Sequence, residues 1–350
     1  MGWPVAESRA EFLLEVGFEE MPAPWLPGLT EQLKGRFLES ASREFLEPTD
    51  VQAFATPRRL VLRAGVRRRQ VDREEPVFGP ALKVAKDASG NWTGAAQGFA
   101  KKNGARLEEL TEGAKDPAKP DEKYLCLVKK VAGRGAGEVL SGLMAGLLRG
   151  LAFPKRMSWD AWIEDGKGAF PFGRPIRWLV ALLDGAIVPF AIYEMVGGAK
   201  GPAAVESGNA TRGHRFLPRN AAGAPIVVVG FADLQAKLRR AYVILDAADR
   251  RTQIESQLAQ AGSIEDDHGL VEEWQDLVEH PAVLVGEVPP EFRSLPREVL
   301  ETVLVHHQKY VPLVHGGAVE RFAAITNTDG TGAGAGTTRS VSPTFTHRFL

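Results

Sequence analysis

The 350-residue sequence lacks the features that mark secreted, membrane and zinc-binding proteins. Its single cysteine, Cys126, excludes an intrachain disulfide and a cysteine-rich zinc site, which is consistent with a reducing cytosol. No apolar run approaches the length that spans a bilayer, and residues 1–10 lack the apolar core of a signal peptide. We therefore expect a soluble, cytoplasmic protein without a membrane contact.

The chain also lacks a strong charge of either sign. Its net charge of -1 excludes a general attraction to nucleic acid, so any RNA contact must come from local basic patches. The glycine-rich segment 330–336 lacks the lysine that a P-loop requires, and the residues around His306 and His307 lack zinc-ligand spacing. No metal-binding, cofactor-binding or catalytic residue is predicted in this chain.

The length and the alternating patterns predict several units. A chain of 350 residues exceeds the size at which one hydrophobic core usually keeps growing. Strand and helix patterns predict an α+β, multi-domain fold with mixed or antiparallel sheets and packed helices. The predicted units are a strand-helix-strand unit (1–66), a basic, loop-rich insert (67–122), an α+β unit (123–218), a unit of alternating helices and strands (219–330), and an atypical, disordered tail (331–350).

The most informative local pattern lies near the N-terminus. An apolar strand that begins at Phe12 leads into two adjacent carboxylates, Glu19 and Glu20, and Pro22 stops it. An amphipathic helix follows, and a second strand opens with Thr-Pro-Arg-Arg-Leu at residues 56–60. Taken alone, the paired glutamates are expected only to solvate the end of the strand.

Further motifs follow in a fixed order. They are Phe-Gly-Pro (78–80), Ala-Gln-Gly-Phe-Ala (96–100), Phe-Pro-Lys-Arg-Met-Ser-Trp (153–159), Phe-Gly-Arg-Pro-Ile-Arg-Trp (172–178), Thr-Arg-Gly-His-Arg-Phe (211–216) and His-Gln-Lys-Tyr-Val-Pro (307–312). Together with the N-terminal pattern, these motifs closely resemble the N-terminal half of the beta subunit of bacterial two-subunit glycyl-tRNA synthetases.

The resemblance implies a non-catalytic subunit of glycine-tRNA ligase. In that family the alpha subunit binds ATP, used with Mg, together with glycine, and forms the adenylate. The beta subunit holds tRNA-Gly, and the two subunits assemble as an α2β2 heterotetramer. The chain alone is therefore expected to lack the catalytic centre and to contain no cofactor.

The resemblance stops after Thr-Asn-Thr-Asp-Gly at residues 326–330. A frameshift after codon 330 would account for the change, and residues 331–350 would then be non-native. The chain is accordingly expected to be truncated and to lack the distal tRNA-binding region of the family.

Basic segments supply the candidate RNA contacts. Residues 58–73 contain seven arginines and one acid, which suits phosphate oxygens but also suits a solvated strand edge. In the 211–216 motif, His214 is open to three interpretations: an RNA contact, a general base, or a hydrogen bond that pins the loop. The tRNA-contact candidates are Arg58, Arg59, Arg63, Arg67, Arg212, His214, Arg215 and Lys309.

Two aromatic segments, 153–159 and 172–178, alternate aromatic side chains with proline and cations. They suit base stacking, but the favoured interpretation is that the two loops dock on each other with arginine stacked on tryptophan. Met157 and Ile176 are the expected core anchors. Two alternative functions stay open: a stand-alone RNA-binding module, and an independent enzyme that uses His214 or His307.

Overall fold

The computed structural model describes residues 9–87, 89–116, 118–218, 221–262 and 268–329. The predicted tail at 331–350 lies outside these residues. The α+β class is confirmed, since helices pack on several mixed and antiparallel sheets. No helix in the described residues is long and apolar enough to cross a membrane.

The strands run through the whole described chain. They are β1 (Arg9–Phe18), β2 (Thr49–Thr56), β3 (Arg59–Arg67), β4 (Arg73–Ala81), β5 (Leu110–Ala114), β6 (Lys123–Val131), β7 (Ala161–Trp162), β8 (Ile176–Leu183), β9 (Ala186–Ile187), β10 (Ala191–Val196), β11 (Ala199–Gly208), β12 (Ala210–Arg212), β13 (Pro225–Val227), β14 (Pro281–Glu287), β15 (Val311–His315) and β16 (Ala318–Asn327).

The α-helices lie between these strands. They are α1 (Leu26–Arg43), α2 (Leu82–Ala85), α3 (Gly94–Asn103), α4 (Ala136–Gly150), α5 (Phe231–Arg240), α6 (Ala247–Ala261), α7 (Leu270–Leu277) and α8 (Arg297–Glu301). Short 3-10 turns occupy Ala23–Trp25, Leu107–Glu109 and Pro290–Phe292, and α8 continues as a π-helix over Thr302–Gln308.

The chain divides into two compact units. The smaller unit consists of residues 69–136, and the larger unit combines the segment before residue 69 with the segment after residue 136. The smaller unit is a three-stranded sheet in the order β4-β6-β5 with α2 and α3. Its own small core includes Leu110, Leu125 and Leu127. The five predicted segment boundaries stay predictions.

The larger unit is built on a sheet with the order β2-β3-β1-β8-β11-β10-β7. β1 lies inside this sheet, antiparallel to both β3 and β8. Because alternate residues of a strand face opposite sides, β1 supplies two cores. Phe12 stacks on Phe37 of α1 on one face, with ring centroids 5.4 Å apart, and Leu13 joins a core with Phe231 of α5 on the other.

The C-terminal part of this unit has a sheet and core of its own. α6 and α7 pack on the sheet β14-β16-β15 around Trp274, which is fully buried. The indole Nε1 of Trp274 donates to the carbonyl of Lys309 at 3.0 Å. This bond ties α7 to the end of the π-helix.

One expectation about local structure is wrong. The apolar run at residues 242–245 predicts a strand, but these residues follow α5 as an irregular segment, because Tyr242 takes a positive φ of 60° that ends the helix. The glycine-rich segment 197–208 is mostly strand β11. Gly197 and Gly198 form the turn that pairs β11 with β10, since both have positive φ.

The two aromatic loops dock on each other as expected. Met157 and Phe172 exchange main-chain hydrogen bonds at 2.8 and 3.2 Å. Ile176 is buried as predicted, whereas the side chain of Met157 is exposed and does not anchor a core. The stacking of arginine on tryptophan takes a different form from the one expected: Arg174 lies 5.5 Å from the ring of Trp25, which belongs to neither loop, and the arginines over Trp178 are Arg58 and Arg59.

Candidate functional site

Three of the motifs meet where β1 ends. Met21 and the two glutamates before it lie against the 56–60 motif and against the 172–178 motif, the second of which is more than a hundred residues away along the chain. Three main-chain hydrogen bonds join them: Phe18 N–H to Arg58 O (2.9 Å), Glu19 N–H to Pro175 O (3.0 Å) and Met21 N–H to Pro57 O (2.7 Å). The fold thus gathers the motifs at one end of the main sheet.

A buried ionic network lies beneath this meeting point. The guanidinium of Arg59 donates through Nη1 to Glu15 at 2.9 Å and through Nε to Glu279 at 3.0 Å. All three side chains are almost completely buried. Thr56 donates to Glu279 at 2.6 Å, and Thr211 donates to Glu15 at 2.8 Å. The network therefore joins β1, β2, β3 and β12 to the segment that precedes β14.

Room for this network depends on Gly17 of β1. Trp178 lies opposite Gly17 on β8, and its indole covers the glycine so closely that a Cβ there would lie 1.9 Å from the ring. The Arg59 guanidinium lies 5.4 Å from the centre of the same ring. A side chain at position 17 would displace the indole on which Arg59 is stacked.

The two carboxylates on Arg59 are not equivalent. Burial disfavours the charge of Glu15 and raises its pKa, although the Arg59 charge and the Thr211 hydrogen bond oppose this. Burial acts in the same direction on Glu279, but Arg59, the Thr56 hydroxyl and other nearby cations outweigh it and lower the pKa of Glu279. Glu279 is therefore the carboxylate whose charge this site stabilises, whereas burial disfavours the charge of Glu15.

Some polar atoms of this region have no hydrogen-bond partner among the described protein groups. They include Oε2 of Glu279 and Nε2 of His214. An unpaired buried polar atom costs about 1–3 kcal/mol. Because these atoms lack partners, the ion pairs that Arg59 makes with Glu15 and Glu279 stabilise the network more than its hydrogen bonds do.

The network also positions the loop that follows β12. Arg59 Nη1 donates to the carbonyl of Arg212 at 2.8 Å. His214 is fully buried, and its Nδ1 accepts the main-chain N–H of Phe216 at 3.2 Å. The main-chain N–H of His214 donates to Ala241 at 2.9 Å. These contacts match the loop-pinning interpretation of His214 and direct the next two side chains outward.

A partly exposed, arginine-rich surface lies beside the network. We call it the junction surface and define it by Glu19, Glu20, Arg58, Arg174, Arg177 and Arg215. Arg177 pairs with Glu19 at 2.8 Å, and Arg215 reaches both glutamates at 3.5 Å. The glutamates therefore organise arginines rather than only solvating the strand end. Four arginines against two glutamates give this surface a formal charge of +2.

The structure separates the other predicted contacts. Arg63 pairs with Glu11 at 3.1 Å, and Arg67 pairs with Glu47 at 2.7 Å towards the opposite end of β3. Lys309 pairs with Glu273 at 3.0 Å in the C-terminal part of the unit. Of the eight candidates, the fold brings together Arg58, Arg59, Arg212, His214 and Arg215 and leaves the other three apart.

Burial corrects two of the predicted contacts. Arg59 and His214 are fully buried, so a direct contact of either with RNA is not supported. Glu279 was missed, and no local signal marks it. Trp178 lies in the 172–178 motif, but its position beside Arg59 was not predicted. Glu15 was also missed, although a carboxylate in the apolar run of β1 is a signal that could have found it.

The alternative of an independent enzyme finds no support in this geometry. The buried imidazole of His214 has no access to a substrate, and His307 is exposed in the π-helix rather than part of a site. The described residues contain no group of three or more His, Cys, Asp or Glu side chains that could hold a metal ion. An open cleft of about 520 Å³ between α4 and the β9–β10 edge contains none of the motif residues.

Comparison with known proteins identifies relatives over most of the chain. The profile of the family described as glycyl-tRNA synthetase beta subunit matches residues 12–339. A glycine-tRNA ligase beta subunit from Desulforamulus reducens is 36% identical over 325 residues, which cover 91% of this chain and 43% of the relative. The beta subunits of Nitratidesulfovibrio vulgaris (38%) and Solidesulfovibrio magneticus (39%) each match 86% of this chain. The chain thus spans about two fifths of the length of these relatives, 40–43%.

Proposed function

The chain belongs to the glycyl-tRNA synthetase beta subunit family, and on this basis we propose that it binds tRNA-Gly and assembles with an alpha subunit as an α2β2 glycine-tRNA ligase. The alpha subunit supplies the site for ATP, with Mg²⁺, and for glycine. This chain supplies RNA contacts and no catalytic group. The place of action is the cytoplasm.

The main support for the proposal is the composition of the junction surface. Family motifs from four distant parts of the sequence meet there, and the fold presents their arginines rather than burying all of them. Arginine forks bind phosphate oxygens, and a local charge of +2 on a chain of net charge -1 concentrates that affinity in one place. The buried Arg59 network is proposed to position this surface without touching RNA.

Assembly is tested by light scattering on a size-exclusion column with the alpha subunit from the same organism. We expect co-elution at a mass that contains both chains, and no adenylate formation by this chain alone. Separate elution of two folded proteins would contradict the assembly proposal for this chain.

RNA binding is tested separately by titrating labelled tRNA-Gly with the chain at several salt concentrations. Arg177→Ala and Arg215→Ala are each expected to lower the salt slope by about 1, because each removes one phosphate contact. Arg67→Ala, away from the junction surface, is the matched control and should leave the slope unchanged. Equal affinity for every tRNA, without assembly, would favour the stand-alone RNA-binding module.

A further inference from the structure

Two arginines of the junction surface, Arg215 and Arg174, each lie against an aromatic ring. The Arg215 guanidinium lies 5.7 Å from the centre of the Phe216 ring, and that of Arg174 lies 5.5 Å from the Trp25 ring. Both arginines contact Glu20: Arg215 reaches its carboxylate at 3.5 Å, and Nε of Arg174 donates to its carbonyl at 3.1 Å. Glu20 therefore links the two pairs into one continuous surface.

Phe216 is exposed in a segment that is otherwise fixed. It is 60% exposed, whereas its neighbour Leu217 is buried. Its main-chain N–H is held by the buried His214, and its ring meets the His214 ring edge-on at 6.1 Å between centroids. A rigid loop thus presents a large apolar ring to solvent beside a cation.

We propose that Phe216 is a stacking platform for an unpaired RNA base, with Arg215 and Arg174 contacting the phosphates on either side. This inference rests on the proposed RNA-binding function and names the residue and the kind of RNA segment involved. An aromatic face binds any base because every base has a π-face, and the base must be unpaired to reach it.

The alternation of rings and guanidinium groups favours RNA over an acidic peptide. A single-stranded nucleic acid alternates flat apolar bases with phosphates, which matches an exposed ring beside Arg215 on a surface that also contains Arg174. An acidic peptide would pair with the arginines but would gain little from the exposed Phe216 ring. The guanidinium of Arg215 lies against the Phe216 ring, which also favours an anionic backbone.

The test uses the whole chain and two labelled probes, a ten-nucleotide single-stranded RNA of mixed sequence and a blunt RNA duplex of the same length. Fluorescence anisotropy gives the Kd of Phe216→Ala, Phe216→Leu and Phe216→Tyr. We expect the alanine and leucine variants to bind the single strand roughly 5- to 150-fold more weakly, and the tyrosine variant to bind like the wild type. Duplex binding should not depend on position 216.

Phe45→Ala is the matched control. Phe45 is also an exposed aromatic, 44% exposed, but it lies after α1 near the opposite end of β1. This variant should bind both probes like the wild type. Phe216→Ala should keep the wild-type salt slope, since it removes no charge, and its melting temperature should be unchanged because the ring is exposed.

The outcomes separate this inference from the proposed function. Unchanged single-strand binding by Phe216→Ala, with tRNA-Gly binding intact, would overturn the stacking platform alone. A wild-type chain that binds no RNA would overturn both. If Phe216→Ala weakened co-elution with the alpha subunit but not RNA binding, the surface would be a protein interface and the inference would be wrong.

Discussion

The unequal roles of the two carboxylates on Arg59 lead to a sharp prediction about stability. Glu15 and Glu279 contact the guanidinium at 2.9 and 3.0 Å, yet burial raises the pKa of Glu15 whereas Arg59 and other nearby groups lower that of Glu279. Glu279→Gln therefore removes the anion that balances Arg59. Glu15→Gln replaces a carboxyl whose charge is disfavoured by burial, and it keeps an oxygen that accepts from Arg59 and Thr211.

The expected losses in the free energy of unfolding differ several-fold between the two variants. Removing one partner of a buried ion pair costs about 3–5 kcal/mol, because the other charge stays buried and unpaired. Replacing a hydrogen-bonded carboxyl, whose charge burial disfavours, with an amide that keeps the accepting oxygen is expected to cost under about 1.5 kcal/mol, the net contribution of one hydrogen bond. Because 1 kcal/mol shifts the Tm of a unit of this size by about 2–4 °C, Glu279→Gln should lower the Tm by on the order of 10 °C.

The dependence on pH has opposite signs for the two residues. The pKa of Glu279 is lowered in the folded protein, so its contribution to stability is present above the ordinary value of 4.5 and is lost as the pH falls through the folded value. The pKa of Glu15 is raised, so its contribution is present below 4.5 and is lost as the pH rises through the folded value. Relative to the wild type, Glu15→Gln should therefore gain stability as the pH rises above 4.5.

The assay must follow the larger unit, since the chain contains two compact units and a global signal would mix their transitions. Hydrogen exchange of β1 and β3 amides in urea reports the stability of the unit that holds Arg59. Glu47→Gln is the matched control, because Glu47 pairs with Arg67 at the surface and should cost under about 1 kcal/mol. Equal losses for Glu15→Gln and Glu279→Gln would refute the assignment of the charge to Glu279.

Two further predictions concern packing and a second buried cation. Gly17→Ala should destabilise the larger unit by about 1–3 kcal/mol in urea unfolding, because its Cβ would lie 1.9 Å from the Trp178 indole. The control is Gly35→Ala in α1, where a Cβ meets nothing within 4 Å, and it should be neutral or stabilising. Arg250→Met should lower the free energy of unfolding by about 3–5 kcal/mol, because the buried guanidinium donates to four main-chain carbonyls. Its control is Arg251→Met at the exposed neighbouring position, which should change that free energy by no more than about 0.5 kcal/mol. Equal effects within either pair would contradict the reasoning.

Features that depend on neighbouring residues could be predicted from the sequence. Asp246 accepts the N–H of Ala248 as the N-cap of α6, and Gly262 ends that helix, as their residue types predict. The Asp184-Gly185 turn joins β8 to β9 because glycine takes the positive φ that the turn requires. In each case the physical cause lies within a few residues of the feature.

His307 shows where a local pattern is not enough. Its spacing from Leu300 and Leu304, and its place at the helix end, predict either a core or a capping histidine. His307 is exposed in the last turn, so the core alternative is wrong. The helix changes to π geometry over Thr302–Gln308, and the wider turn rotates later residues away from the apolar stripe. The apolar pattern alone does not contain this change of helix type.

The buried network could not be predicted because its partners are distant in sequence. Thr211 and Glu15 are 196 residues apart, and Arg59 and Glu279 are 220 residues apart. The arginines of residues 58–73 also look alike in sequence, yet Arg59 is fully buried and Arg58 is only partly so. The difference arises because Arg58 lies in the turn before β3, whereas Arg59 is the first residue of the strand and points into the buried network.

Stability alone does not explain why a buried ionic network occupies this position. Well-packed apolar side chains of similar volume are often as stabilising as a buried ion pair, or more so. Apolar packing has no direction, however, whereas Arg59 donates in fixed directions to Glu15, Glu279 and the carbonyl of Arg212. These bonds set the position of the loop after β12 relative to β1 and to the segment before β14. We infer that the network persists because it holds Arg215 and the neighbouring Phe216 ring at the junction surface, a positional requirement that apolar contacts would not meet.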